Sequence, residues 1–261
     1  MAIIVINGRQ MDVEEDITVL EAARNEGINI PTLCYHKALK PYGGCKLCIV
    51  ESEGPNLRKM MRPSCILKVS EGLLIETDSL RIATMRKELL SLYLSLSPRP
   101  RPYLVDMANK YGAKLITPEA GADLCSRCTL CVRVCREKIG ASALTLAKKD
   151  GPATRASRLI RFIREACFGG GTCASICPSG ILRMEDSGAE RTMMIRGRPV
   201  GTFELAECET CGAHYVTPQY LDKVQSRLSM EEGKIIKKVC PECARRYYTV
   251  ALTGQFICGE H

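Results

Sequence analysis

Sixteen of the 261 residues are cysteine, and most stand at chelating distances from one another. Cys34, Cys45, Cys48 and Cys65 give C-x10-C-x2-C-x16-C, with Gly43 and Gly44 just before the pair. Cys125, Cys128, Cys131 and Cys135 give C-x2-C-x2-C-x3-C, and Cys167, Cys173 and Cys177 follow, with Pro178 after the last. Cys208 and Cys211 form one C-x-x-C knuckle and Cys240 and Cys243 another, 28 residues further on. A thiolate is a soft, charged ligand, and two cysteines three apart in a tight turn present both sulfurs to one metal ion or cluster. Glycines beside such ligands let the backbone wrap closely and aim N–H groups at sulfur.

The three groups call for different chemistry. The first offers four thiolates, the requirement of a [2Fe–2S] cluster. A structural zinc usually draws on two knuckles, and here there is one pair with two single cysteines. His36 follows Cys34 closely, but a Rieske-type centre needs two His, so a packing role is expected. The last quartet has the paired knuckles of a tetrahedral site, open to zinc, a further [4Fe–4S] cluster or a rubredoxin-like single iron.

The middle group resembles the paired motif of bacterial two-cluster ferredoxins, in which the fourth cysteine of each run serves the other cluster. The resemblance implies a first [4Fe–4S] cluster on Cys125, Cys128, Cys131 and Cys177. It implies a second on Cys135, Cys167 and Cys173, where Gly170 replaces the expected cysteine. That second site is expected to be a [4Fe–4S] cluster with an odd fourth ligand, a [3Fe–4S] cluster or empty. Cys258 is one conceivable substitute ligand.

The elements that must hold these cysteines can also be read. Residues 2–6 (AIIVI) suit a strand and Asn7-Gly8 a hairpin turn. Residues 18–26 suit a helix, with Thr18 at the N-cap, Glu21 three residues on, and Gly27 past the end. Residues 46–51 and 72–76 read as short strands. Leu89, Leu90, Tyr93 and Leu94 have helical spacing, and the Ser-Pro-Arg-Pro-Arg-Pro run at 97–102 breaks that helix. A second short helix is expected at 103–111 and another at 218–229. Residues 181–184 and 191–195 suit a hairpin turning at 186–188.

Taken in order, the first and middle groups resemble the N-terminal part of the NADH-quinone oxidoreductase iron–sulfur subunit that opens with a [2Fe–2S] domain. The small diaphorase subunit of NAD-linked hydrogenases and electron-bifurcating oxidoreductases is similar. The resemblance spans residues 1–184. It implies a β-grasp [2Fe–2S] ferredoxin-like domain at 1–78, a helical linker at 79–120 and a dicluster ferredoxin domain at 121–203; with the zinc-ribbon-like four-cysteine domain that the paired knuckles suggest at 204–261, an α+β chain in four parts is expected. In the quinone-reducing family a [4Fe–4S] site on one His and three Cys follows the helix; here residues 95–103 (SLSPRPRPY) hold neither residue type. The resemblance further implies an electron-transfer subunit of an NAD(P)H-linked complex. Its partners would be a flavin- and NAD(P)H-binding subunit and a hydrogenase, formate dehydrogenase or ferredoxin. A free-standing polyferredoxin carrier is the alternative, and a zinc or iron–sulfur redox-sensing nucleic-acid regulator the more distant one.

Composition narrows the field. The formal charge is +8, but each four-thiolate site carries about −2 when loaded, so four of them offset roughly all of it. Nucleic acid is therefore not an expected partner. No G-x-G-x-x-G opens a helix after a strand, so flavin and nicotinamide are expected on another chain. The three His include no H-E-x-x-H and no nucleophile triad, and no catalytic residue is expected. Residues 1–7 lack an apolar leader core, no run spans a membrane, and a reducing cytoplasmic setting is expected.

Overall fold

The computed structural model describes residues 1–55, 57–116, 125–148, 158–228 and 238–253. Cys258 lies outside them. The chain divides into two compact units, Met1–Gly140 with Cys173–Leu182, and Ala141–Thr172 with Arg183–His261. Both helices and sheets are present, so the α+β class holds.

In the first unit, β1 (Ala2–Ile6) and β2 (Arg9–Val13) form the hairpin expected from Asn7-Gly8. Both turn residues take positive φ, as such a turn demands. After α1 (Val19–Asn25) come β3 (Ile49–Gly54), β4 (Leu57–Pro63) and β5 (Leu73–Glu76). The sheet order is β2-β1-β5-β3-β4, with β1 parallel to β5 and the other pairs antiparallel. Alternation along β1 buries Ala2, Ile4 and Ile6. They meet Val19, Leu20 and Ala23 of α1 in a core that also contains Cys48 and Cys65. The helix starts at a capping box: Glu21 N–H donates to Thr18 Oγ1 at 3.3 Å and Thr18 N–H to Glu21 Oε2 at 2.8 Å.

The strand expected at 46–51 begins three residues late. Lys46 sits at φ +62, so the Cys45–Cys48 knuckle is a turn and extension starts only at Ile49. The polar β4 (LRKMMRP) left no alternation to read.

The unit continues with α2 (Leu80–Ser95), α3 (Pro102–Lys110) and α4 (Leu130–Val134), the last running into a π-turn at Cys135–Ile139. The short α5 (Thr172–Ser175) precedes the Cys177 turn. Leu90, Tyr93, Leu104 and Ala108 form a second core together with Cys34, Cys45, Cys128, Leu130 and Val134.

The second unit holds the two-stranded β6 (Leu144–Lys148) with β7 (Arg158–Phe162). It also holds a sheet of β8 (Leu182–Ser187), β9 (Glu190–Ile195) and β10 (Arg198–Glu204), ordered β10-β9-β8. The expected hairpin is β8–β9; β10 adds a third strand through the turn at Arg196-Gly197, where both residues have positive φ. Then come β11 (Ala206–Glu207), β12 (His214–Val216), α6 (Pro218–Leu228) and α7 (Pro241–Thr253). Among the described residues no helix is long and apolar enough to cross a membrane.

Candidate metal centres

The first cysteine set is brought together in the first unit. Cys34, Cys45, Cys48 and Cys65 are each at most 1% exposed. Cys34 pairs with Cys45 and Cys48 with Cys65 through sulfur hydrogen bonds, and the charge of each pair reaches the other. The Cys45 thiol, opposed by burial and helped by the amides of Cys45 and Gly44 and by the Arg133 charge, holds Cys34 down at about 6. The Cys65 thiol likewise lowers Cys48 to about 7. Their partners Cys45 and Cys65 are pushed up by the same pairing and by burial. Two of the four sulfurs thus favour the thiolate, and a bound cationic iron centre would hold the other two as thiolates.

The supports come from distant parts of the unit. Tyr93 Oη donates to the Cys45 carbonyl at 2.8 Å, and Ser64 Oγ to the Cys48 carbonyl at 2.7 Å. Arg86, fully enclosed on α2, donates to the carbonyls of Leu47 at 3.1 Å and Ile49 at 2.9 Å. Gly43, at φ +63, has Ile66 pressed against it; an added Cβ would stand 2.8 Å from Ile66 Cδ1.

The set Cys125, Cys128, Cys131 and Cys177 also gathers in the first unit, all four buried. Arg127 and Thr129 take positive φ between the cysteines, winding the backbone round them. Each such non-glycine residue costs roughly 1–2 kcal/mol. Arg127 N–H in return points at Cys125 Sγ, 3.4 Å away. Burial pushes Cys128 up to about 12, with the charges of Cys177 and Cys125 adding to it and the Leu130 amide and Ser126 opposing. Cys131 is raised by burial and by the same neighbours. Cys128 and Cys131, two buried thiols that resist ionisation, need a bound cation to hold them as thiolates.

The proline-arginine run between α2 and α3 turns out to position this set. Arg101 N–H donates to the Pro178 carbonyl at 3.1 Å and Arg99 N–H to the Ser179 carbonyl at 3.4 Å. The Arg101 guanidinium reaches the Ala174 carbonyl at 3.0 Å. Gly180, at φ +66, lies so close to Arg99 that a side chain would strike the Arg99 carbonyl.

The remaining three cysteines are divided. Cys135 opens the π-turn and Cys173 lies in α5, both in the first unit; Cys167 belongs to the second. Within the second unit the glycine run after Cys167 is tightly enclosed. Thr217 Oγ1 donates to the Phe168 carbonyl, and Arg191 donates to the Gly169 carbonyl at 3.2 Å while forming an ion pair with Asp186. The Tyr220 ring occupies the space a side chain at Gly170 would need.

Cys208, Cys211, Cys240 and Cys243 converge in the second unit, every sulfur within 4.8 Å of the others. Cys211 Sγ and Cys240 Sγ are 3.8 Å apart. Burial raises Cys208, but the amides of Cys240, Cys211 and Thr210 outweigh it and hold that thiol at about 6. Burial and the neighbouring thiols push Cys243 up to about 12. Among the described residues, Tyr215 and Val239 pack around them as partly buried apolar neighbours.

Sequence reasoning missed Arg86, Arg133, Tyr93 and Tyr220 as supports. Arg133 carried a signal, a lone charge inside the apolar run Leu130–Val134. The others sit at ordinary helical positions.

Fold and thiolate sets together define an α+β protein with cysteine groups that could hold metal. Residues 2–79 match the family described as 2Fe-2S iron-sulfur cluster binding domain. The chain is 31% identical over 237 residues to an NADH-quinone oxidoreductase subunit of Rhizobium meliloti (strain 1021), covering 81% of this chain and 26% of that protein. It is 30% identical over 223 residues to NADPH-Fe(3+) oxidoreductase subunit alpha of Geobacter sulfurreducens (strain DL-1 / KN400), covering 76% and 25%. Its fold is similar to part of the NAD+-reducing [NiFe]-hydrogenase in the H2-reduced state. That match has a TM-score of 0.55 and 25% identity, over 69% of this chain and 85% of the matched one. The protein is thus a homologue of these oxidoreductase subunits, as the cysteine order indicated. It spans about a quarter of the length of those two curated relatives.

Proposed function

We propose that this protein is an iron–sulfur electron-transfer subunit of an NAD(P)H-linked flavin oxidoreductase complex. It relays single electrons between a flavin-bearing subunit and a second redox site such as a hydrogenase, formate dehydrogenase or ferredoxin. The observation that carries the reading is the shared core of the first unit, in which Cys34 and Cys45 of one set and Cys128 of the next pack together. The sheet order β2-β1-β5-β3-β4 supports reading residues 1–78 as a β-grasp [2Fe–2S] domain. Cys34, Cys45, Cys48 and Cys65 would hold that cluster, and Cys125, Cys128, Cys131 and Cys177 a [4Fe–4S] cluster. The divided set Cys135, Cys167 and Cys173 carries no part of the proposal.

Bound iron–sulfur clusters supply one-electron exchange. The protein's own residues supply the rest. Burial excludes water, the Cys45 and Arg127 amides donate to sulfur, and Arg86, Tyr93 and Ser64 fix the ligand loops by their carbonyls. Hydrogen bonds to sulfur and burial are the levers that set cluster potentials.

For the last quartet we infer a single zinc. With bonds of about 2.3 Å, sulfurs on a tetrahedral zinc stand about 3.8 Å apart. The Cys211–Cys240 separation is 3.8 Å. Sulfurs bound to separate irons of a cluster stand farther apart than sulfurs sharing one ion.

Iron, acid-labile sulfide and zinc per chain, on anaerobically prepared protein, test the proposal beside low-temperature electron paramagnetic resonance. About six iron or more with one zinc, and two distinct reduced signals, is the expected result. Reduction by NAD(P)H is expected only with a co-purified flavoprotein. Zinc with little iron sinks the relay reading.

A further inference from the structure

Arg133 stands between two ligand sets. It lies on α4, two residues after Cys131 and two before Cys135, and is 5% exposed. Its guanidinium donates to the Cys34 carbonyl, a ligand residue of the first set. The same nitrogen lies 3.5 Å from the Cys128 carbonyl, a ligand residue of the second. The other terminal nitrogen donates to the Lys40 carbonyl at 2.7 Å, and Nε to Thr129 Oγ1 at 3.1 Å. The Tyr42 ring covers one face at 5.7 Å. Each bond is specific to a planar fork; a lysine ammonium cannot span the same acceptors.

Arginine stays charged in any protein environment. A fixed positive charge inside a low-dielectric core acts on every nearby centre that gains negative charge on reduction.

We propose that Arg133 is a positioning residue common to both centres: its one buried charge raises the reduction potentials of the [2Fe–2S] and the first [4Fe–4S] site together, and its fork fixes the two ligand loops to each other. This rests on the proposed function, because both centres must be iron–sulfur clusters. Tyr93 is the contrast, donating to the carbonyl of a ligand in the first set, Cys45.

The test is a redox titration of the cluster-loaded protein, reading both paramagnetic signals in wild type, R133Q, R133K and Y93F. R133Q is expected to shift both signals to lower potential. R133K, which keeps the charge, restores both in large part. Y93F moves the [2Fe–2S] signal alone. If R133Q loses iron, T129V is read instead: it frees Nε without changing backbone preference, and both signals are expected to shift or broaden together. Two loaded centres of which R133Q moves one or neither overturn the inference. So does a lysine that leaves both potentials where glutamine put them, or a T129V protein with both signals unmoved. Wild-type protein without the two signals is a different result: it overturns the proposed function itself.

Discussion

The first cysteine set and the last are held by opposite means. Around Cys34, Cys45, Cys48 and Cys65 a five-stranded sheet and α1 supply a core that includes Ile4, Leu20, Val50 and Leu73, and α2 adds Leu90 and Tyr93 to a second core that holds Cys34 and Cys45. Two of the ligands, Cys48 and Cys65, belong to that core. Around Cys208, Cys211, Cys240 and Cys243 the buried cluster consists of three of the cysteines, with Tyr215 and Val239 alongside, and Cys211 is exposed. In the first place the fold positions the ligands. In the last, the ligands and the metal proposed for them would have to position the fold, as in small domains with too little core to stand alone.

The largest expected effect follows from that contrast. Structural zinc contributes about 10–16 kcal/mol of binding free energy in small finger domains, more than such a core supplies. Removing the zinc proposed for the last quartet is expected to abolish hydrogen-exchange protection at the Cys208, Glu209 and Ala244 amides, which now bond the Ala213, Lys238 and Cys240 carbonyls. Amides of β1 and β5 should keep theirs. Loss of protection in both regions at once breaks the comparison.

The converse experiment is smaller. Leu20 is fully buried in the first core, and Leu20→Ala is expected to cost about 2–5 kcal/mol in denaturant unfolding. The knuckle amides should not notice. Next in size is Gly180→Ala. It forces a side chain into positive φ, at roughly 1–2 kcal/mol, and against Arg99. The expected result is a protein that keeps its [2Fe–2S] signal and loses part of the four-iron signal built on Cys177. Equal loss of both places Gly180 in general stability instead.

What could be read in advance follows the same division. Local signals were sufficient where the chain itself decides: the Asn7-Gly8 hairpin, the Thr18–Glu21 capping box and the 97–102 break all appear. The paired knuckles of the last quartet named four cysteines whose sulfurs converge, since a knuckle's geometry lies within four residues. Tertiary supports were illegible. Nothing local says that Arg101 will bond the Pro178 carbonyl, or that Tyr220 will fill the space beside Gly170. Tyr220 also gives the missing cysteine at 170 a physical companion: the ring and a thiol cannot share that volume. The polar strands β4 and β10 lacked alternation, and their places are fixed by the neighbours they pair with.

The smallest effect sharpens the comparison most, because the same thiol chemistry appears at both ends. Folding lowers Cys34 to about 6 and Cys48 to about 7 from an ordinary value of 9.0. Their contribution to stability is full above the unfolded value and is lost as pH falls through 7 and then 6. Cys45 and Cys65 are raised, so theirs is full below the unfolded value and lost as pH rises beyond it. The rise from the first pair ends, and the fall from the second begins, near the unfolded thiol value of about 8.5–9. In metal-free protein the urea midpoint of the first unit should therefore climb from pH 6 toward about 8.5 and then decline. Cys208 is also held at about 6, but by amides and a Cys211 thiol that its own folded knuckles supply. With the metal gone those knuckles open, and Cys208 should titrate as an unfolded thiol. Thiolate absorbance in metal-free protein is then expected to rise at pH 6 to 7 for Cys34 and Cys48 alone, and Cys34→Ser should remove the earlier part of the rise. A Cys208→Ser variant that removes as much of it would mean that the last quartet stays folded without metal, and that its fold does position its ligands after all.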